Sequence, residues 1–219
     1  MLQIQQIIKK YENASYNVLN LSNFSIQSGE MIQLMGVNGV GKTTFLSVLA
    51  GLSHFEGEII LDGFSIRKDY QRYLSKISYV GNQFFLYDFL TGEEMIQLVQ
   101  EMASIGSIID EDLLFFISDS GLSGYLHLYT KEMSLGTKQK LSIFLALLIS
   151  PKLFLMDEPF VNLDEPSKEA LKKLLKSRSK TGMMTIYATH SKEENFNDLA
   201  DKTAYLLPHL QKGADLIWP

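Results

Sequence analysis

An α/β fold, with a mainly parallel sheet, a small antiparallel β subdomain and an inserted helical subdomain, is what the sequence predicts. Short apolar runs with strand-like patterning recur at MLQIQQII, VLNLSNFSI, MIQLM, GEIIL, KISYV, LFLMD, MTIYAT and TAYLL. The early runs stand close enough together to pair as antiparallel neighbours, whereas helical patterns separate the later ones, as crossovers between parallel strands require. Between KISYV and LFLMD, the segment from Glu93 to Ser150 shows helical periodicity and no clear strand.

No internal repeat, low-complexity tract or flexible linker divides the chain, so its 219 residues, 46% of them hydrophobic, read as a single domain. Residues 1–83 and 151–219 are expected to form the core with its antiparallel part, and residues 84–150 the helical subdomain. The longest nearly continuous apolar stretch, Leu141 to Ile149, is far shorter than the ~18–20 residues of a membrane-spanning helix. The N-terminal MLQIQQIIKKYENAS lacks the apolar core and cleavage site of a signal peptide, which predicts a cytoplasmic protein. With no cysteine, disulfides, thiolate metal sites and cysteine nucleophiles are excluded. A formal charge of −5 argues against general electrostatic binding to nucleic acid.

Taken in chain order, the first chemistry falls after MIQLM. The run GVNGVGKTT, Gly36 to Thr44, fits G-x-x-x-x-G-K-[ST] in full and leads into the helical TTFLSVLAGL. Glycines at 36, 39 and 41 let the backbone curl so that successive N–H groups, Asn38 among them, turn toward phosphate oxygens. The helix start adds the positive end of its dipole, and Lys42 adds a mobile full charge. Thr43 offers a hydroxyl to Mg²⁺ and Thr44 a further phosphate contact. A plain glycine-rich turn is the bland alternative, and the strand-to-helix context weighs heavily against it. Binding of a nucleoside triphosphate on a P-loop NTPase core is the implication.

LFLMDEP, Leu153 to Pro159, reads as a buried strand delivering carboxylates into a crevice. Asp157 suits the Mg²⁺ shell, and Glu158, pointing differently, suits proton abstraction from an attacking water. Alone, such a pair is usually a solvated strand end. Beside a complete phosphate loop, the functional reading wins. TIYATHS ends another strand with His190, placed to sense a γ-phosphate, although a lone histidine is more often structural. Gln83 follows KISYV and carries no meaning by itself.

In this order the pieces resemble the nucleotide-binding subunit of ABC transporters, across essentially the whole chain. The resemblance implies a glutamine loop at Gln83, acting in catalysis and on the metal. It implies a signature loop at Ser134 and Gly136, a D-loop at NLD ending in Asp164, and a switch role for His190. Tyr11 falls where the family stacks an aromatic on adenine, and Tyr16 competes for that place. In the family two subunits pair head to tail, each signature loop capping the ATP held by the other. That explains a small polar loop, SLGTKQK, set before the apolar LSIFLALLI.

The family's usual signature, L-S-G-G-Q, is here Met133, Ser134, Leu135, Gly136 and Thr137. Leu135 restricts the backbone where glycine is usual, and Thr137 removes a glutamine. The S-L-G form resembles exporters of the bacteriocin and drug type, and the short stretch after His190 leaves no room for the regulatory domain some importers carry. The resemblance thus implies an ATPase using ATP and Mg²⁺, a homodimer, and separate transmembrane permease subunits that hold it on the inner face of the membrane. Rival readings are a soluble ABC-type ATPase, a small-molecule kinase sharing only the phosphate loop, and a nucleotide-gated subunit with little turnover. The aromatic QFFLYDFL reads mainly as core of the helical subdomain, with some of Phe84, Phe85, Tyr87 and Phe89 available to receive a membrane subunit.

Overall fold

The fold was described from a computed structural model, which defines residues 1–12, 15–106, 109–189, 198–209 and 213–217. Ten strands among these residues form one continuous sheet. At one end, β1 (Leu2–Lys9), β2 (Leu19–Ile26), β4 (Glu56–Leu61) and the two-residue β5 (Phe64–Ser65) pair antiparallel. At the other end, β3 (Met31–Met35), β6 (Ile77–Val80), β7 (Leu153–Asp157), β8 (Met184–Ala188) and β9 (Lys202–His209) lie parallel. The strand β10 (Gly213–Ile217) turns back antiparallel to β9 and meets β2 in parallel where Ala214 faces Leu19, joining the two halves. The order across the sheet is β5-β4-β1-β2-β10-β9-β3-β8-β7-β6.

Burial follows the sequence pattern. β7 and β8 are buried at every residue, as a strand covered on both faces must be, whereas β1 and β2 mix buried with exposed positions. One face of the sheet packs on α1 (Lys42–Leu49) through Phe45, Leu46, Val48 and Leu49. The other face, with Phe154, Met156 and Tyr187, shares a single apolar cluster with α3 (Gly92–Met102), α4 (Glu111–Asp119), α5 (Leu135–Leu148) and α6 (Glu165–Lys180). α5 belongs to both regions: it rises from the helical subdomain, yet Leu141, Phe144 and Leu148 are buried in the same cluster as the strands.

The eight strands that the apolar runs predict are all present. Two more, β5 and β10, and the short helix α2 (Tyr70–Leu74), go beyond that pattern. β5 is too short to show a period, and β10 is defined by its partners β9 and β2 rather than by its own composition.

Candidate nucleotide site

Between β3 and α1 the chain makes its phosphate loop. Gly41 precedes the helix at φ 112°, a conformation that side chains with a Cβ avoid, and Gly39 at 78° begins the same curl. α1 starts without a side-chain cap and without an acidic residue in its first turn. Its leading N–H groups therefore face the adjoining cavity with the positive end of the helix dipole. Lys42 is buried and folds back, its Nζ donating to the Gly36 carbonyl at 2.7 Å and the Val37 carbonyl at 3.3 Å. A full positive charge is thus stored inside the loop.

Across the cavity stands the end of β7. Thr43 donates its hydroxyl to Oδ2 of Asp157 at 2.6 Å, and Nδ2 of Asn82 donates to the same oxygen at 3.3 Å. Burial pushes the Asp157 carboxyl above its ordinary range; the Thr43 hydrogen bond opposes this, the Glu158 charge adds to it, and Lys42 pulls it back. Glu158 follows at φ 52°, a left-handed conformation unusual for glutamate, with its N–H bonded to the Ala188 carbonyl at 2.9 Å. Strand alternation would send residues 157 and 158 to opposite faces. The left-handed turn breaks that alternation, and both acids line the cavity.

The cavity holds about 430 Å³, and its wall includes Tyr11, Asn38, Gly39, Gly41, Lys42, Thr43, Thr44, Asp157 and Glu158. Tyr11, half exposed, hydrogen-bonds Thr44 Oγ1 through its hydroxyl at 3.1 Å, and Lys9 Nζ lies 4.8 Å from its ring centre. Tyr16 is exposed and takes no part in the wall. Hydroxyl, carboxylate and amide oxygens are the donor set of a hard cation, and one carboxylate beside a hydroxyl suits Mg²⁺ shared with phosphates better than a protein-only metal cage.

Two residues of the wall escaped sequence reading, Val18 and Asn82. Gln83, expected at this place, lines a neighbouring groove of about 220 Å³ with Phe85, Leu86, Met95, Val99 and Ser142. The chain leaves β6 at Val80 and turns through Gly81, which puts the first polar side chain, Asn82, toward Asp157 and the next one away. The order of two adjacent amides in a turn was the only available signal. The aromatic run beyond also differs from expectation: Phe85, Tyr87 and Phe89 are exposed at 79%, 54% and 69%, so they are not core.

Ser134, Gly136 and Asp164 do not line the phosphate-loop cavity. Ser134 caps α5, its Oγ accepting from the Thr137 N–H at 3.1 Å and sharing a hydrogen bond with the Thr137 hydroxyl at 2.9 Å. Thr137, at the position where the resemblance expects a glutamine, thus bonds Ser134 directly. Leu135 opens the helix without a positive φ and projects outward at 60% exposure. Asp164 caps α6. His190 lies outside the described residues; the strand leading toward it, β8, ends at Ala188, and the N–H of the next residue, Thr189, donates to the Leu34 carbonyl at 3.2 Å.

A phosphate loop joined to an acid-ended parallel strand defines the class, a P-loop nucleotide-binding protein with an antiparallel β part and a helical insertion. The model of the family described as ABC transporter matches residues 19–161. The chain belongs to the ABC transporter family, as one of its ATP-binding cassettes. It is 32% identical over 207 residues to the lantibiotic transport ATP-binding protein SrtF of Streptococcus pyogenes, covering 94% of this chain and 86% of that one. It is 31% identical over 199 residues to the aliphatic sulfonates import ATP-binding protein SsuB of Bacillus anthracis, covering 88% and 76%. Among solved structures it resembles the dimeric post-hydrolysis state of the ATP-binding cassette MJ0796 bound to ADP and Pi, with a TM-score of 0.80 at 26% identity and 94% coverage of both chains. Family membership sets aside the small-molecule kinase reading.

Proposed function

We propose that this chain binds and hydrolyses Mg-ATP as the motor subunit of a transporter whose membrane-spanning parts lie on other chains. The observation that carries the reading is the single cavity joining Lys42 and the start of α1 to Thr43, Asp157 and Glu158. Lys42, relinquishing the Gly36 and Val37 carbonyls, and the first N–H groups of α1 hold the triphosphate. Thr43 and Asp157, with Asn82 beside them, would hold Mg²⁺, whose chemistry there would be to offset the negative charge of the triphosphate. Glu158 accepts a proton at its carboxylate oxygen from the water that attacks the γ-phosphorus, and Tyr11 stacks on the base.

Ser134, Gly136 and Asp164 stand away from the phosphate loop of their own chain, which supports a role on the nucleotide held by a second copy. Ser134 keeps a hydroxyl proton for a phosphate whenever the Thr137 hydroxyl donates to it. To His190 we assign the part of γ-phosphate sensor, on its place in the sequence after the strand TIYAT. No helix among the described residues is long and apolar enough to cross a membrane, so attachment would run through permease subunits docked on the groove beside Phe85. Export is the direction we favour, on the S-L-G loop and the likeness to a lantibiotic transport protein; the likeness to a sulfonate importer pulls the other way.

Phosphate release by the whole chain tests the reading beside Glu158→Gln. The unmodified chain should release phosphate from Mg-ATP, and the variant should lose about a hundredfold in rate while gaining a stable Mg-ATP-bound dimer by light scattering. Unchanged release in the variant would remove Glu158 from the chemistry.

A further inference from the structure

Lys140 is a buried cation that the proposed chemistry does not use. It lies on α5, six residues after Ser134, and its side chain is only 11% exposed. Its Nζ donates to the Ser120 carbonyl at 2.8 Å, where α4 ends, and lies 3.5 Å from Oδ1 of Asp164. Asp164 opens α6, and its carboxylate also accepts from the N–H and hydroxyl of Ser167. The Ser167 hydroxyl reaches back to the same Ser120 carbonyl at 3.3 Å. One ammonium thus joins the end of α4, the body of α5 and the start of α6.

A second contact spans the same gap. A Cβ added to Gly136 would collide with the Asn162 carbonyl oxygen, so the segment that runs from Ser134 into the first turn of α5 rests directly on the loop before Asp164. Asn162 adopts φ 67°, and on either side Leu135 and Val161 project outward at 60% and 46% exposure. Removing a long, mobile lysine from water and spreading its charge over a carbonyl and a carboxylate is expensive. Its ordering is explained if the two loops must hold one relative position.

We propose that Lys140 is a positioning residue: it ties the Ser134–Gly136 loop to the Asn162–Asp164 loop, so that both meet a second copy of the chain as one rigid surface. The proposal rests on the reading that this face caps a partner's nucleotide. Lys140 itself touches neither nucleotide, so its loss leaves the phosphate loop of its own chain intact. Arginine at this position retains the charge and the donors, whereas methionine retains the bulk alone. With methionine present, Ser167 still serves the Ser120 carbonyl, which limits the cost to folding.

The test compares Lys140→Met and Lys140→Arg, each in the whole chain and in the Glu158→Gln background. Binding of a fluorescent ATP analogue to the monomer should stay within about twofold of the parent, whereas the Mg-ATP dimer of Lys140→Met should weaken by about tenfold or more, with Lys140→Arg restoring most of it. Hydrogen exchange in the monomer reads the tie without needing the dimer. Lys140→Met should accelerate exchange together in the peptides covering residues 134–138 and 160–164, and Lys140→Arg should return both to the parent's rate. If exchange in those peptides is unchanged by methionine, or if only one of the two loops responds, Lys140 does not tie them. If exchange responds as expected while the Glu158→Gln parent forms no Mg-ATP dimer, the tie stands and the partner-capping reading is what fails.

Discussion

Thr43 and Asp157, 114 positions apart in sequence, meet through a 2.6 Å hydrogen bond from hydroxyl to carboxylate. The bond fastens the first turn of α1 to the end of β7 across the sheet, and it presents two oxygens to the same point in the cavity. A divalent cation at that point needs the carboxylate ionised, while burial favours its protonation.

That conflict sets a pH dependence. The Asp157 carboxyl is raised from 3.8 in the folded chain, so the folded state holds this proton more tightly than the unfolded chain. The resulting stabilisation is fully present below the unfolded value and is lost as pH rises through the folded one. Mg²⁺ binding requires loss of the same proton, so Mg-nucleotide affinity should fall as pH drops through the raised value, and binding there should release protons. Calorimetry in two buffers of different ionisation heat reads the sign. Proton uptake on binding would contradict the assignment, and Asp157→Asn should abolish the release.

Asn82 and Gln83 should separate cleanly. Asn82→Ala removes the amide beside Asp157 and should lower phosphate release by about tenfold, the value of one lost polar contact at a charged site. Gln83→Ala should leave the isolated chain within about twofold, because its side chain lines the groove beside Phe85. The opposite ranking would return the metal-side role to Gln83.

Tyr11 and Tyr16 are distinguished by nucleotide affinity. Tyr11→Ala strips a ring from the cavity wall and should weaken ATP binding by about tenfold, with less effect on inorganic triphosphate, which has no base to stack. Tyr16→Ala should change neither. Equal weakening of ATP and triphosphate by Tyr11→Ala would mean that it acts through Thr44 and not on the base.

What could be read from the sequence was whatever is carried by local pattern. The phosphate loop, the acid-ended strand and the eight apolar runs all reflect constraints imposed within a few residues: glycines where the backbone must turn left-handed, unbroken apolar runs where a strand is covered on both faces, hydroxyls where a helix begins. The family resemblance came from the same local pieces and their order. Tertiary structure decided what depends on direction and distance. It turned Asn82 toward Asp157 and Gln83 away, because a turn after β6 can present either of two adjacent amides and only the packed strands select one. It placed Phe85, Tyr87 and Phe89 outside the core. It brought Lys140 to Asp164 and Gly136 onto Asn162, contacts between segments separated by a whole strand, where no periodicity records which side chains will meet.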